Sequence, residues 1–548
     1  MILAVVIPEP PPMPLPPGRR APLPEGPHVS DLAAARPRHA PRTALASLLA
    51  VVTLLLAGCG SGSAQPPGAP VADGTLTVAL PFAPRSGYAI DTDDAFGLSQ
   101  LGVTETLVGT GEDLQAEPRL ATAWTQVDPL TWRFELRPGV RFHDGTPMTP
   151  EAVAGALNWV AGVAAPPRAV RGIGLTATPD GEAAVLVGTT APDPILPLRL
   201  TSPNTAILAP SAYRGDGPPD VLGTGTGPMR LTVVEGVRGA TLERFDRYWG
   251  GRPQLAVVDA RYVPDPSARA LAFRAGDVDI ALGLPEAAVL ELAATAGVEV
   301  QTVSAPRTVS LLMNQSAPPF ADVRVRRAVQ QAVDRTALAE QALAGAALPA
   351  ADLFGPAVTW GSEEPPPPPD PAAARALLQE AGYGPDNPLT VRLATYPNRP
   401  ELPVLATAVQ AMLAEVGIDA EIQVGEYATQ EPDLLAGRYD MFLLSRSYLT
   451  DLPDAAGVLT SDYTCAGSYN IDHYCSPEFD ALVASLSGIT EPDRRREVFA
   501  QAAQLLVDDV AGVPLVHSQE SAAARDVTGF TLDPTARSLV TARLAKTA

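Results

Sequence analysis

The chain has 548 residues, with 61 acidic against 39 basic side chains and a formal net charge of −22. Its length exceeds what one hydrophobic core organises, so at least two globular lobes are expected. Apolar residues at 46% and charged residues at 18% are a globular composition, and the acidic excess argues against nucleic acid, whose phosphates demand a basic surface.

The N-terminal segment carries the first signal. Arg36, Arg38 and Arg42 precede a run of small and apolar residues, Thr43 to Gly58, that ends at Cys59. A charged stretch, an apolar stretch of about 15 residues and a small-residue cleavage point describe a secretion signal, shorter than the roughly 20 residues of a membrane-spanning helix. The tetrapeptide Leu56-Ala57-Gly58-Cys59 resembles the lipobox of bacterial lipoproteins, which implies that Cys59 is lipidated and becomes the first mature residue. Residues 1–30 are Pro-rich and fit no signal, as expected of an extension from a start site placed too early. The expectation is therefore a signal and extension over 1–58, and a lipidated cysteine with a flexible tether over 59–73. The protein is then extracytoplasmic, held to the outer face of the membrane by acyl chains.

From Gly74 onward short β-branched runs alternate with Ala/Leu-rich stretches. Thr75 to Leu80 is a predicted strand, and Thr131 to Leu136 alternates with period two. Pro138-Gly139 and Asp144-Gly145 mark turns around Val140-Arg141-Phe142. Thr149 caps a helix whose first position is Pro150, and Ala183 to Val187 is a further strand. Val309 to Met313 is a strand, followed by one long helix from Val323 to Ala344. The prolines from Pro365 to Pro369 are stiff and extended, after which Asp370-Pro371 caps a helix ending at Ala381-Gly382. Leu389 to Ala394, Ile418 to Val424 and Asp440 to Leu444 are strands, with a helix from Leu402 to Val416. Such alternation predicts an α/β fold with a parallel or mixed sheet.

Two cysteines remain after Cys59. Cys465 and Cys475 stand ten residues apart, a spacing that suits a local disulfide in an oxidising compartment. Zinc ligation by the pair with His473 is the rival reading, although no second pair supplies the remaining ligands.

A series of short motifs, in fixed order, resembles the peptide/nickel class of periplasmic binding proteins, bacterial solute-binding family 5. They are Leu136 to Pro147, Gly223 to Pro228, Tyr248-Trp249-Gly250-Gly251, Ala275 to Asp279, Pro319 to Ala328 with Val333-Asp334-Arg335, Ala374 to Tyr383, and Glu415 to Ile418. The resemblance spans Gly74 to Phe530. It implies a two-lobe periplasmic-binding-protein fold of type II with an extra subdomain and a ligand cleft between the lobes. Lobe 1 is expected over 74–305, with the subdomain near 105–220; lobe 2 over 306–521; and a return to lobe 1 over 522–548. Closure of the lobes on ligand would be a hinge motion.

The resemblance also implies a function: capture of short peptides for an ABC permease and ATPase, by a monomer with no cofactor. A buried site must meet a peptide's two charged ends with opposite charges. Arg399 and Asp451 match the positions where dipeptide-binding members hold the carboxylate and the ammonium; Tyr448 and Asp454, on either side of Asp451, are expected to contact ligand as well. Tyr448 stands where that subgroup has tryptophan, and Leu452-Pro453-Asp454 departs from its Asn-Gly-Asp. The Cys465 and Cys475 pair resembles that subgroup's cysteines. Nickel or a nickel chelate is the alternative ligand, with His473 as the candidate metal contact. His143 and His517 read as structural, as does the glycine-rich turn at Gly223, which lacks the lysine of a phosphate loop. From another class, a secreted hydrolase is the rival; H-E-x-x-H and G-x-S-x-G are both absent.

Overall fold

Strand β1 (Gly74–Leu80) forms where the sequence predicts it, with Leu76, Val78 and Leu80 all buried. The computed structural model describes residues 68, 70, 71, 73–111, 114–215, 217–397, 399–449 and 452–547. Cys59 and Asp451 lie outside the described residues. After β1 the chain builds a four-stranded antiparallel sheet from β2 (Ala121–Asp128), β3 (Thr131–Leu136), β4 (Thr176–Asp180) and β5 (Ala184–Gly188), in the order β2-β3-β5-β4. Phe134, Phe142, Leu157 and Val185 fill its own apolar cluster. Helix Pro150–Gly162 covers it, started by the Thr149 hydroxyl, which accepts from the Ala152 N–H.

The chain then returns to β1. Strands β6 (Met229–Val234), β7 (Gly239–Arg244) and β8 (Leu255–Tyr262) form an antiparallel set whose last member runs parallel to β1. Strand β9 (Ile280–Leu282) lies on the other side of β1, also parallel. The buried Arg269 guanidinium donates to the carbonyls of Val263, Pro264 and Leu282 at 2.6–2.8 Å, tying together the carboxyl ends of β8 and β9. Lobe I is built around Leu76, Val78, Leu242, Val258 and Ile280, joined by Ala522, Ala524 and Leu544 from the far end of the chain.

Two long strands lead out of lobe I. They are β10 (Val298–Met313) and, at the end of the chain, β15 (Gly512–Arg525). Lobe II collects β11 (Ala347–Pro349), β12 (Leu389–Thr395), β13 (Ile418–Val424) and β14 (Met441–Ser447) around them. One sheet of 11 strands therefore runs through both lobes, in the order β13-β12-β14-β10-β15-β9-β1-β8-β7-β6, with β11 beside β15. The first half of β10 pairs with the half of β15 that touches β9; its second half pairs with β14. Between the halves the β10–β15 register shifts at Ala305-Pro306-Arg307, and a bulge of that kind bends and twists a ribbon. Val309, Leu311, Leu393, Leu405 and Phe442 are among the residues of the lobe II core.

The family motifs are packing junctions. A Cβ on Gly225 would sit 2.2 Å from the Val103 carbonyl, and one on Gly227 2.2 Å from that of Gly102, so only glycine allows these backbones to meet. His143 completes the junction: its Nε2 bonds the Gly227 carbonyl at 2.9 Å, and burial holds its pKa down at about 4. The buried Glu105 carboxylate accepts from Tyr248 at 2.8 Å and Trp249 at 2.9 Å.

One expected element is corrected. The single helix from Val323 to Ala344 ends at Ala332, where Val333 turns extended. Asp334 then accepts from the Ala337 N–H and starts a new turn, Arg335–Ala337, with the buried Arg335 bound to the Ala350 carbonyl at 3.1 Å. An Asp inside an apolar-periodic stretch is itself a start signal. Among the described residues no helix is long and apolar enough to cross a membrane.

Candidate ligand-binding site

The carboxyl end of β12, the end of β14 and the register shift in β10 meet at one place, on the lobe II side of the crossover. Ser445 is the node. Its N–H donates to the Tyr396 hydroxyl at 3.1 Å, which donates back to the Ser445 carbonyl at 3.4 Å. Tyr396 is buried, stacked on Phe442 and edge-on to Tyr427. This fixes the loop that carries Arg399, three residues on. Arg307, at the register shift, donates from Nη1 to the same carbonyl at 3.2 Å.

Arg399 is half-buried; its carbonyl accepts from the Leu402 N–H at 3.1 Å, while its guanidinium has no hydrogen bond or ion pair to any described residue. Its charge reaches Arg307 and Glu520. Burial first, and the Arg399 charge second, hold the Arg307 guanidinium down at about 10. Glu520 lies on β15 opposite Val303; burial pushes its carboxyl up, against the pull of Arg399 and Arg307. Glu401 opens helix Glu401–Glu415 beside them. An arginine that is partly desolvated and unmatched is costly unless something else completes its fork. Across the crossover, β1 points its carboxyl end at this region, and Phe82 just beyond it is 73% exposed. In open α/β sheets ligands settle at such strand ends.

The other expected site residues among those described are more deeply buried. Tyr448 is 1% exposed. Its hydroxyl accepts from the Gly355 N–H at 3.3 Å, its ring packs edge-on against Phe354, and its N–H bonds the Pro306 carbonyl at 3.0 Å. Its ring is therefore packed in the apolar cluster beside Pro306, the neighbour of Arg307. Asp454 is likewise turned inward: Arg495 grips both oxygens at 2.8 and 3.0 Å, each side chain being at most 5% exposed.

Cys465 and Cys475 are joined by a disulfide. The loop they close carries His473 away from the cleft, which corrects the expectation that His473 lies near it. Gln315 bonds the Asp472 carbonyl just past the Met313 end of β10, whereas Arg307 sits six residues earlier on that strand, roughly 20 Å away at 3.3 Å per residue. The Nε2 of His473 is buried without a partner, in the αL backbone region at φ 55°. Among the described residues no three His, Cys, Asp or Glu side chains come together as a metal site. His517 is structural, its Nδ1 bonded to the Thr308 hydroxyl at 2.9 Å.

Sequence motifs point to Arg399 but not to Arg307, Glu520 or Ser445. Only the pairing of β10 with β14 and β15 brings those three together, and no local spacing encodes it.

Comparison with known proteins is consistent across sequence and fold. The model of bacterial extracellular solute-binding proteins, family 5, matches residues 115–470. The nickel-binding protein NikA of Staphylococcus aureus is 24% identical over 492 residues, covering 88% of this chain and 94% of its own. A probable di/tripeptide-binding protein of Pseudomonas aeruginosa is 27% identical over 453 residues, covering 77% of this chain and 85% of its own. The crystal structure of NikA from Brucella suis with Fe(III)-EDTA superposes with a TM-score of 0.77 at 24% identity, over 86% of this chain and all of that one.

Proposed function

Since the chain belongs to family 5 of the bacterial extracellular solute-binding proteins, we propose that it captures short peptides between its lobes and delivers them to an ABC permease with its ATPase. The observation that carries this reading is Arg399, half-buried at the crossover, whose guanidinium has no partner among the described residues. A peptide carboxylate is the bidentate match for its fork. Asp451 takes the ammonium at the other end of the ligand, and Tyr448 and Asp454 brace the segment that bears it. The likeness to a di/tripeptide-binding protein supports the same ligand class. Cys59 supplies the lipid anchor that keeps the protein at the membrane face, as a monomer and without a cofactor.

The test is mass spectrometry of ligand released by denaturing the purified protein, followed by titration calorimetry. Di- to pentapeptides are expected. Arg399→Ala should weaken their binding by about 30- to 1000-fold, the cost of losing one partner of a desolvated charge pair. Asp451→Asn should act similarly on peptides with a free amine and spare N-acetylated ones. Recovery of nickel or a nickel chelate alone, with binding indifferent to Asp451, would overturn peptide capture in favour of metal uptake.

A further inference from the structure

Arg307 sits at the point where β10 and β15 lose register, and no motif marks it. A guanidinium has five N–H donors, yet the described residues supply acceptors for Nη1 alone, at the Ser445 carbonyl (3.2 Å) and hydroxyl (3.5 Å). Tyr396, three residues before Arg399, binds the same Ser445 as Arg307, and the Arg399 charge reaches Arg307, so the two guanidinium groups are neighbours. Neither forms an ion pair with a described carboxylate. Glu520 and Glu401 face them from β15 and from the first turn of helix Glu401–Glu415 without occupying either fork; the helix dipole favours Glu401 where it stands. Two adjacent forks are thus open, where a peptide's C-terminus fills one.

We propose that Arg307 receives a second carboxylate, so that the site prefers short peptides whose C-terminal residue is acidic. The α-carboxylate then lies on Arg399 and the side-chain carboxylate on Arg307. Glutamate and glutamine share a shape, but the amide turns an NH2 group toward the arginine donors and leaves part of the fork unmatched. Sites built around such pairing reject the analogue that lacks it. This inference rests on the peptide reading above and narrows its substrate class.

Titration calorimetry with Ala-Glu, Ala-Gln and Ala-Ala on ligand-stripped protein separates the two claims. The wild type should bind Ala-Glu at least about 10-fold tighter than Ala-Gln, the discrimination expected of a matched polar contact. In Arg307→Gln the ratio of the two affinities should fall toward one. Equal affinity of the wild type for Ala-Glu and Ala-Gln overturns the inference while leaving peptide capture standing. A preference that survives Arg307→Gln overturns it as well. Failure of the wild type to bind any of the three overturns the inference, whereas peptide capture falls only if no di- to pentapeptide is recovered from the purified protein. The wild-type comparison needs no substitution, so it decides the matter even where a variant folds poorly.

Discussion

Single side chains inside this molecule carry charges that only their neighbours make tolerable. The Asp454–Arg495 pair is the deepest example, with Arg495 also donating to the carbonyls of Leu486 and Ile489 at 2.6 and 2.9 Å. Asp454→Ala should lower stability in urea by about 3–5 kcal/mol, because Arg495 would stay buried and unpaired. Asp472 is buried as well, with one carboxylate oxygen unpartnered, and burial pushes its pKa up to about 8. The folded state therefore holds a proton there that the unfolded chain, with an ordinary pKa near 4, has already released. Stability from this group is complete below about pH 4 and is lost as the pH rises to 8. His143 and His517 act in the opposite sense: their pKa values of about 4 make the fold lose stability as the pH falls below 6.5. Denaturant midpoints should then decline from pH 6.5 to 8 in the wild type and stay level in Asp472→Asn.

Elements were legible in the sequence where a side chain and the backbone it serves are close together. Thr149 and Asp370 cap the helices expected of them, Asp370 accepting from the Ala372 and Ala373 N–H groups. Asp370→Ala should cost about 1 kcal/mol in thermal unfolding. The long helix after Val323 was misread because its apolar period continues through the break, so periodicity outweighed the start signal at Asp334. Of the residues at the candidate site, only Arg399 stands in a local motif. Arg307 and Glu520 meet through strands far apart in sequence, and His473 was misplaced because its nearness to Cys475 says nothing of which end of the sheet the loop reaches. That loop is closed by the Cys465–Cys475 bond, ten residues long. Replacing both cysteines with serine should cost about 2–3 kcal/mol on chain-entropy grounds, read as a lowered urea midpoint that reductant reproduces in the wild type.

At the scale of the whole molecule, lobe I and lobe II share one continuous sheet. Ligand that binds the closed arrangement must stabilise it by its differential affinity. At a hundred times the dissociation constant, a cognate peptide should add about 2.7 kcal/mol to unfolding, and small-angle scattering should show a smaller radius of gyration than for the stripped protein. The two strands that join the lobes are hydrogen-bonded to each other on both sides of the Ala305-Pro306-Arg307 shift. A joint of that construction is less a pivot than a torsion spring: the lobes turn by winding a paired ribbon, and the ribbon resists. On the capture reading, the stiffness of that ribbon would set how long a loaded protein stays shut before its ligand is released.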